Sequence, residues 1–244
     1  MKIKADFHIH SISSPDGRSS VDDMINAAKK KGLDAIAICD HNECTEYGGE
    51  CGIVLIKGVE LSSEAGHILG LFLESPLDIE KLRGGVFTIK TDKAIEAIHE
   101  HGGIAVWAHP FAPQVLAGEK MDGVPVDAIE SANGRAELKR RGSNEMARKL
   151  AERRGIVCLG DSDAHHVSEI GNCYTEIECD TLDADSIKAA VLAGKTRPVF
   201  VKNCTHKKKA MSQLVRAKRS RSVRSVAVAL FYLARAVVFD VVKR

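Results

Sequence analysis

The chain has 244 residues, 44% of them hydrophobic, with 35 Lys/Arg against 33 Asp/Glu and a formal net charge of +2. That length carries one large or two small globular domains, and the seven cysteines, odd in number and without a C-x-x-C pair, exclude a disulfide framework and a thiolate zinc cluster. The near-neutral total hides an asymmetry: residues 205–244 hold eleven Lys/Arg and one acid, which leaves 24 basic and 32 acidic residues in 1–204.

In chain order, Met1 leads directly into a strand pattern over 3–10. The basic region and apolar stretch of a secretory signal are missing, and with the unpaired cysteines this predicts a cytoplasmic protein. Within that strand His8 and His10 share one face, and Ile3, Ala5, Phe7 and Ile9 the other. A helix is expected over 20–31, with Ser20 and Asp23 as a capping pair and Gly32 as its stop. Further strands are predicted at 33–39, 53–60, 67–73, 104–108, 127–132 and 156–160, and helices at 92–101, 143–154 and 184–193. Such alternation implies parallel strands joined by helical crossovers. His67 opens its apolar run rather than closing it, which points to one strand running antiparallel. Residues 1–204 carry no repeat or linker and read as a single closed or nearly closed α/β barrel, with a doubly wound open sheet as the alternative. Residues 205–244 read as a basic linker and an amphipathic helix. Cys39, Cys158 and Trp107, inside apolar strands, read as core.

In a barrel, chemistry gathers where strands end. The first strand ends in His8-Ile9-His10, followed by Asp16 before Gly17; the second ends in Asp40-His41 and the third in Gly58-Val59-Glu60. The run at 104–108 ends in His109-Pro110, and that at 156–159 leads into Asp161-Ser162-Asp163-Ala164-His165-His166. A single histidine at a strand end is usually a solvated or capping residue; repetition at successive ends points to a metal site. Imidazole and carboxylate together suit zinc, iron or manganese, a carboxylate such as Glu60 can bridge two ions, and ions so held serve phosphoryl transfer. Arg18, just after the Asp16 turn, and Arg135, in E-S-A-N-G-R, are candidate forks for a phosphate, with Asn133 supporting the same loop.

The segments D-F-H-I-H-S, C-D-H-N, G-V-E-L-S, H-I-L-G, W-A-H-P-F and G-D-S-D-A-H, in that order within residues 3–201, resemble the PHP family, the polymerase and histidinol phosphatase domain. The resemblance implies a distorted (β/α)7 barrel and a metal-dependent phosphoesterase. Its reaction would be hydrolysis of a phosphomonoester or diester of a nucleotide or short RNA by a metal-activated hydroxide, with two or three manganese, zinc or iron ions. Carried over by position, it implies that His8, His10, Glu60 and Asp163 hold one ion, that Glu60 bridges to a second held with His67 and His109, and that Asp16, His41 and His165 form a third site. The closing D-x-H motif fits Asp163 rather than Asp161, which becomes structural, with His166 a neighbour. Asp16 or His41 is the candidate for assisting the leaving oxygen. Asp16 stands where the histidinol phosphatase branch usually has His, which moves the expectation away from histidinol phosphate as substrate. The short segments at 42–60 and 74–92 imply a small cap and an open site. A nucleic-acid-binding or scaffold subunit on the same barrel is the alternative function.

Residues 206–225 contain Lys207, Lys208, Lys209, Arg216, Lys218, Arg219, Arg221 and Arg224 and no acid, a composition suited to the phosphates of RNA or an anionic membrane. The run at 226–242 is apolar except for Arg235 and Asp240. It is short and charged for a membrane span, and reads as a helix packed on the barrel, on a second subunit or on a membrane surface.

Overall fold

The computed structural model describes residues 1–83, 88–112 and 123–241. Residues 84–87 of the short 74–92 segment and Val242 of the apolar run lie outside that description. The elements are β1 (Lys2–Ile9), α1 (Val21–Lys30), β2 (Ala35–Ile38), β3 (Val54–Ser63), β4 (Gly66–Leu71), α2 (Ile79–Arg83), α3 (Thr91–Glu100) and β5 (Ile104–Trp107). They continue with β6 (Ala128–Asn133), α4 (Ala136–Lys139), α5 (Ser143–Arg154), β7 (Val157–Asp161), β8 (Cys173–Glu178), α6 (Ala184–Leu192), β9 (Thr196–Phe200), α7 (His206–Ser220) and α8 (Val223–Ala236). Local chemistry sets the ends: Ser20 Oγ accepts from Asp23 N at the start of α1, acids fill its first turn and lysines its last, and Gly32 follows with φ of 68°.

One mixed sheet runs β7-β6-β5-β4-β3-β2-β1-β8-β9. The pairs β1/β2, β2/β3, β5/β6 and β6/β7 are parallel; α1 makes the crossover from β1 to β2, α4 and α5 that from β6 to β7, and a loop over 39–53 that from β2 to β3. The pairs β3/β4, β4/β5, β1/β8 and β8/β9 are antiparallel. Only Glu64 and Ala65 separate β3 from β4, a link too short for anything but a hairpin, and it turns β4 round so that His67 enters at its start. The sheet curls until β7 meets β1 and β8, and side chains close the seam. Phe7 N donates to Asp161 Oδ1 (2.7 Å), Ser162 N to Asp6 Oδ1 (2.9 Å), and Gly160 N to Thr175 Oγ1 (2.9 Å). At the mouth, His10 N donates to the Ala164 carbonyl (2.7 Å).

The interior cluster draws apolar residues from each of β1 to β8 and from α6, which closes one end. Outside it, α3 and α5 cover β3 to β7 and α1 covers β1 and β2. Ile3, Ala5 and Phe7 belong to the interior, whereas Ile9 packs outside with Met24 and Ile25 of α1. Strict alternation therefore fails for Ile9, because the β1/β2 register shifts between Asp6 and Ile9. Trp107 is fully buried and donates Nε1 to the Ala65 carbonyl (3.1 Å).

The basic segment differs from expectation. It is the helix α7 rather than a linker, and it buries Lys209, Ala210, Ser212, Gln213 and Ala217. No helix among the described residues is long and apolar enough to cross a membrane.

Candidate metal centre

His8 and His10 project from the end of β1, and both are fully buried. Their Nε2 atoms stand 3.0 Å apart. What orients each ring lies behind it. Glu130 Oε1 takes His8 Nδ1 at 2.6 Å, and its other oxygen accepts from His109 N (2.8 Å) and Asn133 Nδ2 (3.0 Å). His10 Nδ1 meets Ser14 Oγ (3.0 Å), which donates to Asp40 Oδ1 (2.8 Å). Asp40 also takes Ser11 N, Ser11 Oγ and Thr45 Oγ1, so it organises the loop that carries Asp16. Gly17 turns that loop so tightly that a Cβ there would stand 1.7 Å from the Ser11 carbonyl oxygen.

Glu60, 1% exposed near the end of β3, lies at the centre. Its oxygens are 2.6 Å from His67 Nδ1 and His41 Nδ1, and 3.3–3.4 Å from Nε2 of His8, His10 and His109. Asp163 lies 3.6 Å from His10 Nε2 and 3.9 Å from Nε2 of both His8 and His109. Asp16 approaches His41 (3.6 Å) and His165 (3.4 Å). Ligand atoms converge within 4.8 Å in four groups: His8/His10/Glu60, His41/Glu60/His67, His10/His41/His165 and His8/His109/Glu130. His41 thus faces Glu60 and His67 as well as His165, a broader role than the resemblance implies. Asn42, His109 and Asp163 have positive φ (52°, 30° and 52°), a clustering of unfavourable backbone typical of sites that place side chains at its expense.

Burial alone would raise the pKa values of Glu60, Asp16 and Asp163, but the histidines around them outweigh it and hold all three well below the usual carboxylate range. Burial and the neighbouring His165 and His41 push His10 well below the ordinary histidine value. Both Glu60 oxygens, Asp16 Oδ1, His67 Nδ1 and His109 Nδ1 are buried without a properly aligned hydrogen bond. The neighbouring carboxylates overcome burial at His8 and His41 and raise their pKa values, so the protons there stand in for positive charge; carboxylates and imidazoles so crowded and mutually unsatisfied are the donor set of a divalent cation. The residues present fit such ions.

Asp161 stays in the seam, where burial together with Glu130 and Asp6 holds its carboxyl well above the ordinary value. The three residues expected to grip phosphate lie outside the cavity. Arg135 is fully buried, its Nε and Nη2 bound to Glu169 Oε2 at 2.7 and 2.5 Å. Asn133 turns inward to Glu130 and accepts from Arg135 N and Ala136 N at the start of α4. Arg18 reaches Glu169 (3.2 Å) and lines a separate surface hollow with His166. The cavity above the centre, about 310 Å³, is lined instead by Arg83, Lys139, Lys209 and Arg216, together with Asp16, His41, Glu60, His67, His109, Asp163 and His165. The expected open mouth is walled by α7, because its buried face packs there. Sequence patterns did not single out Glu130, Lys139 or the pocket-facing side of α7. The one available signal was that E-S-A-N-G-R carries an acid inside a strand otherwise facing the core.

Residues 6–121 match the family model described as PHP domain, and residues 141–196 the one described as PHP-associated. The chain belongs to the PHP family. An uncharacterized protein of Methanocaldococcus jannaschii is 32% identical over 148 residues, 54% of this chain and 82% of its own length. A "probable phosphatase" of Proteus mirabilis is 26% identical over 215 residues, 71% of this chain and 83% of its own. Among solved structures, the PHP barrel is shared with a two-domain protein of Bacteroides vulgatus described as containing a predicted PHP-like metal-dependent phosphoesterase. That match has a TM-score of 0.58 at 20% identity and covers 87% of this chain and 69% of that one. It is also shared with a lesion-specific endonuclease from Pyrococcus furiosus, TM-score 0.60 at 18% identity, covering 81% of this chain and 58% of that one.

Proposed function

We propose that this PHP protein is a metal-dependent phosphoesterase that hydrolyses a phosphomonoester or diester of a nucleotide or short RNA at the His/Glu/Asp centre. The observation that carries the reading is Glu60. Its two buried oxygens face five imidazoles and have no aligned hydrogen bond. His8, His10, Glu60 and Asp163 would hold one cation, Glu60 with His67 and His109 a second, and Asp16, His41 and His165 a third. Divalent ions among these donors would supply charge for the phosphoryl oxygens and acidify water. Around them the chain's own residues set the geometry. Glu130 fixes His8 by holding its Nδ1, and Ser14 does the same for His10. Assistance to the leaving oxygen would fall to Asp16 acting through the third cation or, where that site is empty, to His41 as a proton donor; both line the cavity. The PHP relatives include a probable phosphatase, and an endonuclease Q structure holds a 27-mer duplex with an abasic lesion; both are consistent with phosphoester chemistry.

The test is release of phosphate or nucleotide from an aryl phosphate, a nucleoside phosphate, a short 5′-phosphorylated RNA and histidinol phosphate with manganese supplied. A His8→Ala/His10→Ala double variant serves as control. Metal-dependent turnover that vanishes in the control supports the reading. A wild-type protein that holds metal yet turns over none of the four, and binds RNA, favours the scaffold alternative.

A further inference from the structure

Helix α8 carries its apolar side on the outside. In a surface helix the apolar stripe ordinarily faces the core and the polar side faces water. Here the buried positions are two alanines, Ala229 and Ala236. The outer side carries Val223, Val226, Leu230 and Phe231, and Val237 and Val238 extend it into the turn that follows, Val237–Val241. All six are between 45% and 86% exposed. Val223, Val226, Leu230 and Val237 follow one another at intervals of three, four and seven residues, which sets them in one line along the helix. A continuous apolar patch of this kind marks a surface that something covers.

The stripe is held outward on a fixed platform. Helix α8 packs on α7, where His206 stacks on Phe239 with centroids 4.9 Å apart. Lys209, whose pKa burial pushes down to about 8, lies with its Nζ 6.0 Å from the centroid of the Tyr232 ring. Helix α7 is in turn fastened to the barrel. Lys208 Nζ donates to the Ser168 carbonyl (2.9 Å), the buried Arg135 to Ser212 Oγ (3.2 Å), and Arg219 Nη1 to the carbonyls of Ile12 (3.1 Å) and Ser14 (2.6 Å).

Charge around the stripe selects its occupant. No acid occurs from His206 to Phe239, and Lys218, Arg221 and Arg224, around the turn from α7 to α8, are all exposed. In the sequence Lys243 and Arg244 follow the other end. A second copy of this chain would bring the same cations into one interface with no acid of this segment to meet them. Nucleic acid would engage the cations and leave the valines and Leu230 in water. An anionic bilayer satisfies both, with aliphatic side chains below the headgroups and cations among the phosphates.

We propose that α8 lies in the plane of an anionic lipid membrane, with Val226, Leu230 and Val237 inserted and Lys218, Arg221 and Arg224 at the headgroups. The helix rests on the bilayer and does not cross it. This inference is independent of the reaction at the metal centre.

The experiment is sedimentation of the full chain with vesicles of phosphatidylcholine alone and of an equal mixture with phosphatidylglycerol. Wild type is compared with Val226→Asp/Leu230→Asp, which places charge on the stripe, and with Lys218→Gln/Arg221→Gln/Arg224→Gln, which removes it from the flank. A third variant, Lys29→Gln/Lys30→Gln/Lys31→Gln, neutralises as many cations at the end of α1. All these positions are exposed, so the packing beneath them is left intact. The expected result is wild-type binding to the mixed vesicles and not to phosphatidylcholine alone. Affinity for the mixed vesicles falls roughly tenfold or more in the aspartate variant and about a hundredfold in the flank variant, and changes little in the α1 variant. Undiminished binding by the aspartate variant overturns the proposal, because charge alone then suffices, and so does an equal loss in the α1 variant, which marks diffuse attraction. No wild-type binding to the mixed vesicles also overturns it. Light scattering then shows whether the stripe instead joins two copies, as a wild-type dimer that the aspartate variant dissolves. If the aspartates unwind α8, seen as lost helical circular dichroism, the flank variant still decides.

Discussion

Glu130 shows how a residue remote from the cavity surface can govern the centre. It fixes which nitrogen of His8 faces Glu60, and it holds the backbone at His109 at the same time. Replacement by Gln keeps the volume but weakens the acceptor, so Glu130→Gln is expected to lower metal affinity by about 10–100-fold, measured by titrating metal into the chelated protein against a fluorescent competitor. Lys209 makes a second prediction, on stability. Its folded pKa of about 8 lies below its ordinary 10.5, so between those values the unfolded chain binds the extra proton. Stability must then rise as pH climbs from about 8 to 10.5 and be lost as pH falls through 8. Lys209→Met removes that rise, which urea midpoints at pH 7.5 and pH 10 will read. The histidines and acids that line the cavity were legible in the sequence because they cluster at strand ends and in the loops just after them, whereas Glu130, inside β6, was not. Arg18 and Arg135 misled for a physical reason: sequence reveals a charge but not its partner, and both are tied to Glu169.

Elements were readable where their faces differ. Helix α1 carries a clear apolar stripe, and β5 is a short apolar run between polar turns. Strand β9 escaped because Pro198 sits in it, tolerated only since β9 is the sheet edge. Helix α7 reads as a linker in the sequence because the face it buries is Lys209, Ala210, Ser212, Gln213 and Ala217, which is polar or small and forms no apolar stripe. Polar contacts hold it instead, above all the buried Arg135–Glu169 pair that reaches Ser212. Glu169→Ala leaves the Arg135 guanidinium buried and unpaired. The expected cost is about 3–5 kcal/mol, seen as a lower urea midpoint, with α7 more open to limited proteolysis than in wild type.

At the scale of the molecule, the candidate metal centre draws on β1, β3, β4 and β6 and on the loops after β1, β2, β5 and β7, so ions bound there would cross-link the barrel. Chelation is expected to lower the thermal midpoint of the whole chain, and manganese to restore it. At a free concentration a hundred times Kd the gain is about 2.7 kcal/mol per site. Scanning fluorimetry across a metal series reads this directly, and a midpoint indifferent to chelation and metal would count against ions at the centre. The barrel itself was legible in the alternation of strands and helices, but its antiparallel additions β8 and β9 were not: β8 follows β7 with no α-helix between them, and β9, although α6 precedes it, is interrupted by Pro198.

The seam has a kinetic meaning. Its hydrogen bonds tie Phe7 to Asp161 and Asp6 to Ser162, partners 154 and 156 residues apart, and the same closure brings His8 and His10 to Asp163 and His165. No local segment of the chain contains a finished centre, and contacts of such long range form late because loop closure must come first. A nascent or partly folded chain therefore has scattered histidines but no cage, and capture of its ions waits on the step that shuts the barrel.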